Sequence, residues 1–283
     1  MAEDVQAEIR KRARGLLVSG EAKLVIGWTE GTEPSRLRPY FCASPEETDR
    51  LVVDGRSTHD LATYLTRAEL ADLKPIAIVA KPADIRAVVV LLQEDQIKPD
   101  DVRVIGVRVE PVGSPEAEVE MLPGASLDDY VRYLNDEVKG SELADDVMAR
   151  VREIEKLSPA ERFEFWRREF DRCIKCYACR EACPMCYCRS CIVEKNQPQW
   201  ISAAASPRGN FAWNLVRAMH LAGRCIACGA CERACPAGIP LMLLNRHVAE
   251  TTREAFGHLA GYDPEGGYCY AKWETGDSDE LFG

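Results

Sequence analysis

The sequence has 283 residues, a formal net charge of −10 at pH 7 and a pI of about 5.1. A chain of this length is large for one small domain, so we expect two units. The acidic balance, with no block of basic residues, argues against nucleic acid as a partner, because nucleic-acid binding requires phosphate neutralisation. Without an export signal or an apolar run long enough for a bilayer, we expect a cytoplasmic protein with no membrane insertion.

The first 125 residues predict an α/β domain. Helical periodicity covers residues 3–18. Apolar runs that favour β-strands then occur three times, at residues 24–28, 75–79 and 102–109. A helical pattern over residues 84–93 separates the last two runs, which is typical of a βαβ unit.

Residues 126–170 predict a helical linker. This segment is charged and nearly free of glycine. Ser158, Pro159 and Glu161 form the pattern of an N-cap, a first-turn proline and a capping-box acid. We therefore expect a helix to begin at residue 159.

The C-terminal part, residues 171–283, contains a duplicated cysteine motif. Residues 173–184 read CIKCYACREACP and residues 225–236 read CIACGACERACP, with eight of twelve positions identical. A helical pattern from Phe211 to Ala222 occupies the spacer between the copies. These features predict an all-helical dicluster ferredoxin domain.

The spacing of each copy is typical of [4Fe–4S] ligation. In the C-x2-C-x2-C-x3-C-P pattern, the first three cysteines bind one cluster and the fourth binds the other cluster of the pair. Cluster I is therefore predicted to take Cys173, Cys176, Cys179 and Cys235. Cluster II is predicted to take Cys225, Cys228, Cys231 and Cys183. Such a pair carries electrons, and no catalytic residue is predicted.

Two alternatives to this cysteine chemistry remain open. Zinc would use paired C-x2-C knuckles with four ligands per ion, in a protein that serves as an assembly scaffold. The first motif is also followed by three cysteines that the two-cluster arrangement leaves unused, Cys186, Cys188 and Cys191. With Cys42 or Cys269 as a fourth ligand, these three are candidates for a third iron–sulfur cluster, or they are inert thiols.

Residues 74–98, KPIAIVAKPADIRAVVVLLQEDQIK, followed by VIGV at residues 104–107, resemble the beta-subunit family of coenzyme F420 hydrogenases and dehydrogenases. The cysteine-rich half is similar to the helical ferredoxin domain of succinate dehydrogenase iron–sulfur subunits and of the heterodisulfide reductase C subunit. The resemblance implies an electron-transfer subunit that works with a flavoprotein and with a cysteine-rich, hydrogenase or dehydrogenase subunit.

The sequence departs from the F420 family at the positions where its members carry further cysteines. This sequence has Ala83, Ser57 and Val109 in place of those cysteines. The difference implies that an N-terminal cluster is lost or altered. The family's flavin domain is not found in the sequence, so we do not expect this chain to bind a flavin. We expect the α/β half to dock to a partner subunit. The alternative is that this half has its own active site and reduces a flavin or F420 directly.

Overall fold

The structure is a computed structural model that describes residues 2–114, 116–138 and 146–271. Residues 272–283 of the predicted dicluster unit therefore lie outside the described residues. The N-terminal part is built on five strands: β1 (Leu24–Glu30), β2 (Leu37–Cys42), β3 (Ile76–Ala80), β4 (Val102–Glu110) and β5 (Glu118–Met121).

The five strands form one mixed sheet in the order β2-β1-β3-β4-β5. The three central strands are parallel, with Ile76 opposite Leu24 on one side and Val102 on the other. The two edge strands run antiparallel to their neighbours. Helix α2 (Pro82–Gln93) connects β3 to β4, so the predicted βαβ unit is confirmed.

Helices cover both faces of this sheet, as buried parallel strands require. Helix α1 (Ala2–Ser19) lies on one face, where its Ala13 packs with Val25 and Ala77. Helix α2 and helix α3 (Leu127–Val138) lie on the other face, where Tyr130 is fully buried. Helix α3, which falls in the predicted linker range, is thus part of the α/β core.

The remaining helices surround the cysteine motifs. They are α4 (Asp146–Glu155), α5 (Pro159–Asp171), α6 (Ala178–Glu181), α7 (Pro207–His220), α8 (Ala230–Arg233) and α9 (Leu241–Phe256). Ser158 caps α5 and forms the predicted capping box with Glu161. Phe170 of α5 packs against Phe211 of α7, with ring centroids 5.7 Å apart. The predicted helical C-terminal region is confirmed.

The two halves share one hydrophobic core. Met185, Leu221 and Ile226 from the cysteine-rich half are buried in the same cluster of side chains as the strands β1 and β3. Ion pairs add to this contact, including Arg224 Nε to Glu94 Oε1 at 2.8 Å. Among the described residues no helix is both long and apolar enough to cross a membrane.

Candidate metal centre

The two cysteine motifs have the same backbone conformation. Lys175 and Ala227, which are equivalent in the duplication, have φ angles of 55° and 58°. The next equivalent pair, Tyr177 and Gly229, have φ angles of 59° and 74°. Each motif thus turns twice through the left-handed region before a short helix, α6 or α8, begins. These turns curve the chain, so that cysteines three residues apart point to a common centre.

The first group of cysteines encloses a small cavity. Its wall includes the thiols of the first motif together with one thiol from the second motif: Cys173, Cys176, Cys179 and Cys235. Trp213, Ile239 and Leu241 close the cavity with apolar surface. Burial raises the pKa of the Cys179 thiol to about 11. Cys176 is exposed at the outer rim.

The second group lies closer to the α/β half. Cys183 interacts electrostatically with three cysteines of the second motif, Cys225, Cys228 and Cys231. Burial raises the pKa of the Cys225 thiol to about 12, and it raises the pKa of Cys228 as well. Such thiols are protonated until a metal replaces the proton.

The fourth cysteine of each motif therefore lies beside the first three cysteines of the other motif. Cys235 lies with the first motif and Cys183 with the second. This arrangement fits two cubanes. Among residues 2–114, 116–138 and 146–271, no three His, Cys, Asp or Glu side chains are spaced to hold a single metal ion. A cubane spreads its thiolates over separate iron atoms, which places them further apart.

Two of the additional cysteines, Cys186 and Cys188, line one pocket together with Cys183, and the third lies in another group of side chains. Cys186 is next to Cys183, and the hydrogen bond between their side chains lowers the pKa of Cys186. Cys188 is exposed, whereas Cys191 packs in a separate group of side chains with Val193.

The two thiols considered as fourth ligands of a third cluster lie on other elements. Cys42 is fully buried on β2, where burial raises its pKa to about 12. Cys269 lies against Gly223, at the end of the described chain. A third cluster stays a prediction.

Sequence reasoning missed the polar side chains that surround the cysteines. The guanidinium of Arg217 is buried among them and donates from Nη2 to the Cys179 carbonyl at 2.9 Å. Asn245 Nδ2 lies 3.4 Å from Cys231 Sγ. The ammonium of Lys175 is hydrogen-bonded to the carbonyl of Ser202. No pattern in the sequence singles out Arg217, because the buried face of α7 also carries Asn210 and Asn214.

A buried ionic network joins the second group of cysteines to the sheet. Lys81 Nζ lies 3.3 Å from Asp60 Oδ1 and donates to the carbonyl of Ser57 at 2.7 Å. Asp60 is also close enough to Cys228 for its negative charge to raise the pKa of that thiol, in addition to the larger effect of burial. Burial raises the pKa of Asp84, and the negative charge of Asp60 raises it further. The Asp84 carboxylate accepts a hydrogen bond from the backbone amide of Lys81 at 3.2 Å.

A cavity of about 400 Å³ opens beside Cys225. Residues of both halves line it, including Ala83 and Arg86 from α2 and His258 and Tyr262 from the C-terminal segment. Arg86 lies over the Tyr262 ring at 4.0 Å from its centroid. Ala83, one of the positions without the family's cysteine, therefore faces a space next to the second cysteine group.

Fold and site together define a class of protein in which a dicluster iron–sulfur domain follows an α/β unit. Residues 169–239 match the family described as the 4Fe-4S dicluster domain. This match confirms the predicted cofactor content of two [4Fe–4S] clusters.

The particular relatives are subunits of redox enzymes. The chain is 36% identical over 100 residues to the F420-dependent formate dehydrogenase subunit beta of Methanocaldococcus jannaschii, which covers 35% of this chain and 26% of that protein. It is 33% identical over 164 residues to the F420-dependent formate dehydrogenase 1 subunit beta of Methanococcus maripaludis, covering 53% of this chain and 41% of that protein. The resemblance to the F420 beta-subunit family is thus confirmed, while the chain spans less than half the length of these relatives.

Proposed function

We propose that this protein is an iron–sulfur electron-transfer subunit of a larger oxidoreductase, relaying single electrons through its two clusters. The observation that carries this proposal is the closeness of the two cysteine groups. Cys179 of the first group lies near enough to Cys231 of the second for their charges to interact. Two one-electron carriers held side by side pass electrons between them.

We further propose the crossed ligand sets for these clusters. Cluster I takes Cys173, Cys176, Cys179 and Cys235, and cluster II takes Cys225, Cys228, Cys231 and Cys183. When bound, the clusters supply one-electron redox chemistry. The protein's own residues hold the thiols in place, and apolar side chains such as Trp213 and Ile239 keep water away from them.

We propose that the subunit belongs to a complex of the formate dehydrogenase type. Hydrogenase-like and heterodisulfide reductase-like complexes are the alternatives. Two relatives are named as beta subunits of F420-dependent formate dehydrogenases. The partners proposed are a flavoprotein and a cysteine-rich, hydrogenase or dehydrogenase subunit in the cytoplasm. Residues 1–125, together with helix α3 from the predicted linker 126–170, would dock to one of them, and residues 171–283 would form the dicluster unit.

Iron and sulfide analysis together with EPR of the reduced protein tests the two-cluster function. We expect about eight iron atoms per chain and the interacting S = 1/2 signals of two neighbouring clusters. Fewer iron atoms, or a colourless protein with no absorbance near 400 nm, would refute the proposal and favour the zinc scaffold.

Single cysteine variants test the crossed ligation. Cys183→Ser should damage the same cluster as Cys228→Ser, because both residues are proposed ligands of cluster II. Cys235→Ser should damage the same cluster as Cys176→Ser, because both residues are proposed ligands of cluster I. EPR spectra of the four reduced variants make the comparison. The opposite pairing, with Cys183→Ser resembling Cys176→Ser, would contradict crossed ligation.

A second candidate function is direct reduction of a flavin or F420 by this chain. The cavity beside Cys225 favours it, because about 400 Å³ is within the range of small-molecule sites and a proposed cluster ligand forms part of the wall. Denaturation of the purified brown protein tests the flavin version. Release of a flavin in stoichiometric amount would support this function, whereas iron–sulfur protein without released flavin would argue against it.

A further inference from the structure

Arg217 occupies an unusual position for an arginine. It lies on α7, is 4% exposed, and stands between the two groups of cysteines. One of its nitrogens, Nε, is buried without a hydrogen-bond partner. Among the residues that the structure describes, no carboxylate forms an ion pair with this guanidinium.

A buried guanidinium needs a compensating negative charge. Its high pKa prevents it from losing its proton inside the protein, and an unpaired buried charge is strongly unfavourable. The acidic groups with which Arg217 interacts most strongly are cysteines: Cys179, Cys183, Cys186 and Cys231, and Cys225 also interacts with it. Its positive charge acts to lower the pKa of the Cys186 and Cys231 thiols, and its Nη2 donates to the backbone carbonyl of Cys179. The charge of Arg217 is therefore balanced only when these sulfurs are anionic.

We propose that the guanidinium of Arg217 stabilises the reduced state of cluster II and so raises the reduction potential of that cluster. The inference rests on the proposed function and its ligand sets, in which Cys183 and Cys231 bind cluster II. Reduction adds one electron to the cluster and transfers no proton or other atom. A nearby fixed positive charge favours the more negative state, because net charge and hydrogen bonds to sulfur set cluster potentials.

The surroundings of cluster I provide an internal comparison. Lys175 is a cation near Cys173, since the residue is 7% exposed and its charge interacts with that thiol. Arg217 donates to the backbone of Cys179, but its strongest interaction with a proposed ligand is with Cys183 of cluster II. Removal of Arg217 should act mainly on cluster II, and removal of Lys175 should act mainly on cluster I.

Dithionite titration of the full-length protein, followed by EPR, measures the effect. In Arg217→Gln we expect the equilibrium constant for reduction of cluster II to fall at least tenfold, which corresponds to 59 mV for one electron. Arg208→Gln removes the same charge from an exposed position of the same helix and should leave both potentials unchanged. Potentials in fully loaded Arg217→Gln that equal those of the wild type or of Arg208→Gln would overturn the inference.

Two further variants separate the charge of Arg217 from the thiol beside it and from cluster assembly. Cys186→Ser keeps the arginine but removes the neighbouring thiol that is not a proposed ligand. Wild-type potentials in this variant support the inference, whereas a fall as large as that in Arg217→Gln would show that Arg217 acts through Cys186. If Arg217→Gln does not assemble its clusters, Arg217→Lys should restore assembly because it keeps the charge. Equally poor assembly in both would overturn the role of charge.

Iron analysis of the wild type separates this inference from the proposed function. A wild-type protein with too little iron for two cubanes would refute the function itself. A fully loaded wild type, with variants whose potentials do not move, would refute only the role of Arg217.

Discussion

Lys81 is buried with its charge balanced by neighbours on several segments. The residue is 3% exposed and its ammonium contacts Asp60 as well as the carbonyls of Ser57 and His59, at 2.7 and 2.8 Å. It also lies 5.3 Å from the centroid of the Trp28 ring. Because Asp60 contacts Cys228, this lysine supports both the sheet and the wall of the second cysteine group.

Lys81→Met should strongly destabilise the protein. Removing one member of a buried ionic network leaves the other charges unpaired, which costs about 3–5 kcal/mol. Lys74→Met is the matched control, because Lys74 pairs with Asp101 at 2.8 Å with both side chains about a quarter exposed, and such pairs contribute about 1 kcal/mol or less. Free energies of unfolding measured in urea test this, and equal losses in both variants would contradict it.

The cysteines were predictable residue by residue because their spacing is local. A motif of twelve residues specifies three ligands by chain geometry alone. The charges that balance them come from distant parts of the chain, as Arg217 contacts the Cys179 carbonyl across 38 residues. No periodicity or spacing in the sequence encodes such a contact, so Arg217 and Asn245 became visible only in three dimensions.

At the level of elements, the end of α7 determines how the chain enters the second motif. Gly223 follows this helix with a φ angle of +69°, two residues before Cys225. A Cβ at this position would lie 2.8 Å from Cys269 Sγ and 3.2 Å from atoms of both Tyr268 and Tyr270. The glycine thus permits both the helix end and the packing of the C-terminal segment over it.

Gly223→Ala should cost more stability than Gly257→Ala. Gly257 ends α9 with a φ angle of +62°, and nothing lies within 4 Å of a Cβ built there. Both variants incur the left-handed backbone strain of about 1–2 kcal/mol, but only Gly223→Ala adds overpacking of about 1–3 kcal/mol. Thermal unfolding of the cluster-loaded proteins measures the difference. The same loss in the two variants would show that residues 268–270 move aside freely.

The elements that the sequence did not reveal are the two edge strands. Strand β2 contains Pro39, which is tolerated at a sheet edge but weakens a strand pattern. Strand β5 has only four residues, and two of them are exposed glutamates. Their pairing depends on the strands beside them rather than on their own composition. The central strands were predictable because each is rich in apolar residues, and β3 is a continuous apolar run. Helix α2 was predictable from its helical pattern between two of these strands.

At the scale of the whole molecule, the sheet and the cysteine loops depend on different sources of stability. The sheet has its own buried side chains from four strands and three helices. The cysteine loops contribute few apolar side chains of their own, and their left-handed turns are strained. We infer that the bound clusters hold these loops, since metal binding supplies folding free energy where no core can.

Removal of the clusters should therefore unfold the loops and spare the sheet. After iron chelation under anaerobic conditions, amide hydrogen exchange should become fast over residues 173–191 and 225–239. Amides of β1 and β3 should remain protected, because local opening does not require the global transition. Re-addition of iron and sulfide provides the control. Loss of protection in the sheet to the same extent as in the loops would contradict this separation.

The crossed position of the fourth cysteines also sets the order in which the protein can mature. With Cys235 as the proposed last ligand of cluster I, a ribosome that has released the whole first motif has still not supplied a complete site. The proposed ligand set of cluster II is complete only at Cys231 and that of cluster I only at Cys235, so both sites become complete almost together.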